Sequence, residues 1–233
     1  MPACTLTAAA ALAQAGAVVT MVARSEPELR AACEQIGAAG GQCSFLVLDV
    51  TDSAAVDREI GARGPFQILV NNAGMNRPKE LVSLTDEDID AVLNLNVKAA
   101  FYVTRTVVRA LQASGLAGSV INVSSQMGHV GSPRRSLYCA SKHAIEGMTR
   151  ALAWELGRAN IRVNSVCPTF IETPMTASML ADVQFRNWVT DRIALGRLGR
   201  IDEVTGAIVF LASEASSLMT GSALMLDGGW TAA

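Results

Sequence analysis

Residues 5–25 read TLTAAAALAQAGAVVTMVARS. The alanine-rich run over 5–15 predicts a helix, and Gly16 is placed to cap its end. AVVTMV, residues 17–22, then reads as a buried strand. A helix that ends in Gly and feeds a buried strand belongs to a β-α-β unit, which needs a strand before the helix. Only four residues stand before this helix.

Working outward, the alternation continues. A helix is predicted near 26–38, a strand near 43–48, and a helix capped by Asp52 or Ser53. FQILVNN is a strand, and a long helix capped by Thr85, with Asp88 three residues on, runs to about 114. GSVINVSS and IRVNSVC are strands on either side of a helix over 136–158. A polar, Met-containing stretch leads to about 200, followed by the helix DEVTGAIVFLAS and the strand ALML. Short apolar runs without clean alternation suit parallel strands covered on both faces. The expected fold is one doubly wound Rossmann-type α/β domain over residues 1–233, with its ligand crevice at the carboxyl ends of the strands.

The chain has 233 residues, half of them apolar and 17% charged, enough to bury a sizeable core. Net charge is −2 and no basic block tracks a phosphate backbone, so nucleic acid is not an expected partner. No apolar run reaches 18 residues, so no membrane span is expected. The five cysteines are scattered, without CxxC or Cys/His metal spacing. They are expected as free thiols in a reducing, cytoplasmic compartment, with no metal site.

Small and polar residues recur where strands end: Arg24 and Ser25, Asp49, Asn71 to Gly74, Ser124 and Ser125, Pro168 and Thr169, then Thr173. In YCASK, Tyr138 and Lys142 lie four apart and share a helix face. An ammonium near a phenol lowers the phenol pKa and makes it a general acid/base. Ser125 stands thirteen residues upstream of Tyr138.

Together with NNAG at 71–74, LNLNVKAAF at 93–101, PTFIETPM at 168–175 and TGSALMLDGGW at 220–230, this ordered set resembles the short-chain dehydrogenase/reductase family from about residue 8 onward. The resemblance implies hydride transfer between a nicotinamide and a secondary alcohol or ketone. Tyr138 would be the acid/base, with Lys142 lowering its pKa and binding ribose. Ser125 would polarise the substrate oxygen, with Ser124 as the alternative. Asn96 would hold a relay water for Lys142, with Asn94 competing for the role. The cofactor-binding set it implies is Arg24, Asp49, Val50, Asn72, Ala73, Gly74, Tyr138, Lys142, Pro168, Ile171 and Thr173. Asp49 serves equally as a helix cap. Thr169 stands where the family usually has Gly. Ala23 replaces the acid that would meet a ribose 2′-OH, and Arg24 follows. A guanidinium suits a 2′-phosphate, which favours NADP(H) over NAD(H).

The resemblance also implies a homotetramer, with helices 85–114 and 136–159 as contact faces. A mobile substrate loop is expected near 175–200, where Met175 and Met179 line an apolar part of the pocket or pack on a helix face. Arg134 and Arg135 either meet an anionic substrate or sit on a rim or subunit contact. His129 and His143 have no partner at useful spacing and are expected to pack or face solvent. Trp154, Trp188 and Trp230 are expected in core or interface. One departure stands out. The family's first strand and its TGxxxGxG loop would fall before Met1, with Ala3 and Thr5 where the last two glycines belong. A native chain longer by about fifteen to twenty residues is therefore expected. The rival reading is a catalytically weak relative serving as a binding or assembly subunit.

Overall fold

In the computed structural model the described residues are 3–232, without the side chains of Ala3, Cys4, Pro174, Met175 and Ser178. The helix α1 (Ala3–Gln14) ends as its sequence predicts. Gly16 takes φ +94°, and the Gly16 and Ala17 amides donate to the carbonyls of Ala13 and Leu12. This is a Schellman closure, which a side chain at Gly16 would strain. It turns the chain into β1 (Val18–Ala23). Helix α2 (Glu26–Ala38) and β2 (Gln42–Val47) follow, and β1 and β2 pair in parallel.

Helix α3 (Ser53–Gly61) is capped by Asp52, whose carboxylate accepts from the Ala55 amide. After β3 (Ile68–Asn71), the long predicted helix is in fact two. Thr85 and Asp88 form the expected capping box for α4 (Asp86–Leu93). A π-turn over Asn94–Lys98 then leads into α5 (Ala99–Ser114). Strand β4 (Gly118–Val123), helix α6 (Ser136–Leu156) and β5 (Ile161–Pro168) come next. The stretch expected as a loop holds two short helices, α7 (Pro174–Leu180) and α8 (Val183–Thr190). Helix α9 (Ile201–Ala212) and β6 (Ala223–Leu226) complete the order. The fold is α/β, with parallel strands flanked by helices.

The structure divides into two compact units. One holds the chain up to Asp49, Thr169–Phe210 and the segment from Asp227 on. Here α1 and α2 pack on the β1–β2 pair through Ala9, Ala13, Met21, Leu29, Ala32 and Ile36. The unit also contains a four-ring cluster that the sequence reading missed: Phe170, Phe185, Trp188 and Trp230, with ring centres 5.7 to 5.9 Å apart. Cys33 and Cys43 form a disulfide between α2 and β2, which corrects the expectation of free thiols. Ten residues separate them, but the turn after α2 returns β2 antiparallel to that helix, leaving their Cα atoms 5.2 Å apart.

The other unit holds Val50–Pro168 and Leu211–Leu226, with four parallel strands in the order β3-β4-β5-β6. Its core is crossed by a polar ladder. The Asn71 amide donates to Thr104 on α5 and to the Asn122 carbonyl oxygen, both at 2.9 Å. Asn122 in turn donates to Thr149 on α6 at 2.9 Å. Replacing Asn122 by Ala would leave the half-buried Asn71 amide without this acceptor and Thr149 without its donor. The variant should lose about 2–3 kcal/mol of stability in urea unfolding.

Candidate active site

The site residues of the second unit meet in a chain of contacts below the polar ladder. Gly74 follows β3 by three residues. A Cβ built on it would lie 3.5 Å from Asn96 Oδ1 and 3.7 Å from Lys142 Nζ, so both groups face its bare Cα. Asn96 sits in the π-turn and is buried. Its Oδ1 accepts from the Met75 amide at 2.8 Å. Its Nδ2 donates to the Met75 carbonyl at 2.9 Å and to Ser141 Oγ at 3.0 Å. Ser141 donates to the Tyr138 carbonyl, so Asn96 is locked to the first turn of α6.

Lys142 is buried and donates to the Val123 carbonyl, the last of β4, at 2.8 Å. Its ammonium lies 5.6 Å from the centre of the Tyr138 ring. Tyr138 is hydrogen-bonded to Ser125. Ser125 Oγ accepts from the Met127 amide at 3.2 Å and reaches toward the Pro168 carbonyl at 3.5 Å. Asn72 and Ala73 lie in the segment joining β3 to Gly74, and Val50 precedes the Asp52 cap.

Burial dominates the electrostatics of the Tyr138–Lys142 pair. Burial pushes the Tyr138 phenol up to about 12, against the opposing effects of the Ser125 hydrogen bond and the Arg135 charge. Burial also lowers Lys142 to about 8, while the charges of Cys167 and Glu146 hold it up.

In the first unit, Arg24 and Asp49 stand just beyond β1 and β2, with 3.9 Å between guanidinium and carboxylate. The Arg24 side chain is 77% exposed. Ile171 is buried and pairs with Gly199. Thr173 caps α7, accepting from the Thr176 amide at 3.2 Å. The Thr169 hydroxyl is buried without a hydrogen-bond partner.

Other expectations resolve individually. Arg134 and Arg135 part company: Arg134 lies 3.6 Å from Glu80 at the surface, whereas Arg135 is buried and electrostatically coupled to Tyr138. His143 bonds the Cys139 carbonyl of its own helix. His129 does have partners, Glu146 and Cys167, each at 3.5 Å, contrary to its expected isolation. The Met175 side chain falls outside the described residues. Two features were missed. Gln126, next to Ser125, is buried with neither amide atom bonded. Asp88, beyond its capping role, binds Arg77 and Lys79, and the Lys79 hydrogen bond leads the effects that hold its carboxyl well below the usual range. The only sequence signal for Asp88 was the cap itself.

A family model described as enoyl-(acyl carrier protein) reductase matches residues 5–231. The chain belongs to the short-chain dehydrogenase/reductase family. It is 36% identical to gluconate 5-dehydrogenase of Gluconobacter oxydans over 230 residues, covering 97% of this chain and 90% of that one. It is 41% identical to 3-oxoacyl-[acyl-carrier-protein] reductase FabG of Thermotoga maritima over 221 residues, covering 93% and 89%. A gluconate 5-dehydrogenase from Burkholderia cenocepacia, solved with NADP and tartrate, superposes with a TM-score of 0.93 at 34% identity, covering 98% and 91%. This short-chain dehydrogenase/reductase is an NAD(P)-dependent oxidoreductase, and the binding-subunit alternative is not favoured. The absence of a first strand and glycine-rich loop, expected as a departure from the family, is not borne out as one, since the family model matches from residue 5. Among the described residues no helix is long and apolar enough to cross a membrane.

The chain has three lysines, Lys79, Lys98 and Lys142. In carbon-13 lysine NMR the Lys142 Cε signal should titrate near about 8. Glu146→Gln removes a charge that holds this value up, so the midpoint should fall further. A midpoint at the ordinary lysine value of about 10.4 would contradict the burial argument.

Proposed function

We propose that the chain transfers a hydride between NADP(H), or less readily NAD(H), and a secondary alcohol or ketone, with residues 1–233 acting as one cofactor-binding and catalytic domain. The observation that carries this reading is the contact chain Gly74–Asn96–Lys142–Tyr138–Ser125. It puts a phenol, a hydroxyl and a buried ammonium at the carboxyl ends of parallel strands.

The residues fit a dinucleotide. The bare Cα of Gly74 leaves a cradle beside Lys142 that a side chain would fill. The orphaned Thr169 hydroxyl suits a ligand amide. Arg24 presents an exposed guanidinium at the end of β1, where a 2′-phosphate would be read. Asp49, Val50, Asn72, Ala73, Pro168, Ile171 and Thr173 complete the proposed binding set. When bound, the nicotinamide supplies or accepts the hydride.

The chain's own residues handle the proton and the developing charge. Ser125 and Tyr138 donate to the substrate oxygen, and Tyr138 gives up or takes its proton there. Burial keeps the Tyr138 phenol protonated, and removal of its proton calls for positive charge nearby. Lys142, held by Val123, supplies a fixed positive charge for that purpose. Asn96 spends its side chain on Met75 and Ser141, so its part is to position Lys142 and Tyr138 and to bound the space that a relay water would occupy.

The relatives' names, gluconate 5-dehydrogenase and 3-oxoacyl-[acyl-carrier-protein] reductase, support an oxidisable or reducible C–O centre as the shared substrate feature. The proposal includes a cytoplasmic homotetramer. Trp154 on α6 is 91% exposed and Phe101 on α5 is 47% exposed, which supports those helices as contact faces.

Two measurements test the reading. Tyr138→Phe should keep the fold by circular dichroism and lose at least about a hundredfold in turnover on polyol and 3-oxoacyl substrates. Unchanged turnover would defeat the assignment. Fluorescence titration should show tighter binding of NADPH than of NADH, and Arg24→Ala should erase the difference. Equal affinities in the unmodified chain would remove Arg24 as the phosphate reader.

A further inference from the structure

Beneath the end of β5, the second unit gathers three donor atoms of different chemistry. They are His129 Nε2, from the loop after β4; a Glu146 carboxylate oxygen, from the middle of α6; and Cys167 Sγ, from β5. Glu146 is 1% exposed and Cys167 is 0% exposed, whereas the His129 side chain keeps 28% of its surface. His129 Nε2 lies 3.5 Å from Cys167 Sγ and 3.5 Å from Glu146 Oε2, and the thiol donates to the other carboxylate oxygen, Oε1, at 3.3 Å.

The imidazole–carboxylate spacing bears on two readings. An imidazolium that balances a buried carboxylate closes to about 2.7–2.9 Å in a charge-assisted hydrogen bond. Here the nitrogen stands off at 3.5 Å. Ligands around a tetrahedral zinc, with bonds of about 2.0–2.3 Å, are separated by about 3.3–3.8 Å along the edges of the tetrahedron. The His129–Cys167 and His129–Glu146 separations fall in that interval, and one carboxylate oxygen lies within 4.8 Å of both other donors. The donor set, one nitrogen, one sulfur and one oxygen, suits zinc and not magnesium or calcium.

The surroundings are built as a support. Ser165 donates to Glu146 Oε2 at 3.0 Å and orients the carboxylate. Gly128 packs against Glu146, so that even a methyl there would lie 3.0 Å from Glu146 Cγ. Two ligands are thus fixed by strand and helix, and the third, His129, forms the exposed side through which an ion and its water enter.

We propose that His129, Glu146 and Cys167 form a zinc-binding site, with water as fourth ligand. Binding exchanges the thiol proton, and any proton on His129 Nε2, for the metal, and the protons leave to solvent. Affinity therefore rises with pH. Glu146 lies one helical turn beyond Lys142, so the ion sits directly beneath the proposed active site without touching its reacting groups.

The test uses the full chain, freed of metal with a chelator. Calorimetry with zinc should show one ion per chain. Cobalt should give a thiolate-to-metal absorption band. Cys167→Ser should abolish that band, and His129→Gln should weaken zinc binding by about tenfold or more while keeping the band. Both variants are checked for folding by circular dichroism. If Cys167→Ser does not fold, the partly exposed His129→Gln decides alone. Absence of binding, or binding that either folded variant leaves unchanged, overturns the proposal. In the first case the three residues are a buried charge cluster, and in the second the ion binds elsewhere.

Discussion

The hydrogen-bond ladder Thr104–Asn71–Asn122–Thr149 is the constraint on which the site depends. Asn71 and Asn122 are register partners on adjacent parallel strands. Their side chains join to each other and reach α5 on one side and α6 on the other. A buried amide is costly unless each donor is met, so this network admits one register and one height for both helices. Everything used for chemistry hangs from it. Gly74 is three residues past Asn71, Ser125 is three past Asn122, and Lys142 is two helical turns before Thr149. A slip of the sheet would separate all three at once.

Desolvation then sets the chemical character of the groups so placed. It raises the Tyr138 phenol and lowers the Lys142 ammonium, in each case toward the neutral form. The two effects widen the gap between a phenol that holds its proton more tightly and an ammonium that holds its proton less tightly. Ser125 and Arg135 oppose the shift at Tyr138, and the charges of Glu146 and Cys167 oppose it at Lys142. The protein thus stores a tyrosine that favours its proton until further charge arrives. The i, i+4 spacing alone pointed to a lowered phenol pKa, because a spacing gives proximity and does not report burial.

Much of the fold was legible. The Gly16 closure, the Asp52 and Thr85 caps and all six strands follow from local signals whose partners lie within a few residues. What was hidden depended on packing. The π-turn that carries Asn96 has no local signature, since Asn94–Lys98 reads as helix of any kind. Helices α7 and α8 are only seven and eight residues long. An aromatic cluster in their unit, drawn from Phe170, Phe185, Trp188 and Trp230, becomes visible only after folding. Of the candidate site, Ser125, Tyr138, Lys142 and Asn96 were chosen from the resemblance, and the structure brings them into one contact chain. Arg135 and Gln126 were not separable from their neighbours, because burial distinguishes them and sequence does not report it.

The same reasoning explains why three potential metal ligands went unnoticed. His129, Glu146 and Cys167 are separated by 17 and 21 residues, and no spacing rule spans a loop, a helix and a strand. Their meeting follows from the parallel pairing of β4 with β5, which brings Val166 level with Val123. Cys167 is thereby carried to the level where the chain leaves β4 toward His129. Helix α6 must cross β5 to return the chain, and residues one turn apart on its face take different neighbours: Lys142 turns to the end of β4 and Glu146 to β5. One helical face therefore serves two purposes in succession. The first turn meets the strand end where ligands bind, and the next meets the strand body, where a carboxylate survives only with partners. Ser165, Cys167 and His129 are those partners, so the buried charge of Glu146 is a consequence of where α6 must lie for Lys142 to reach Val123.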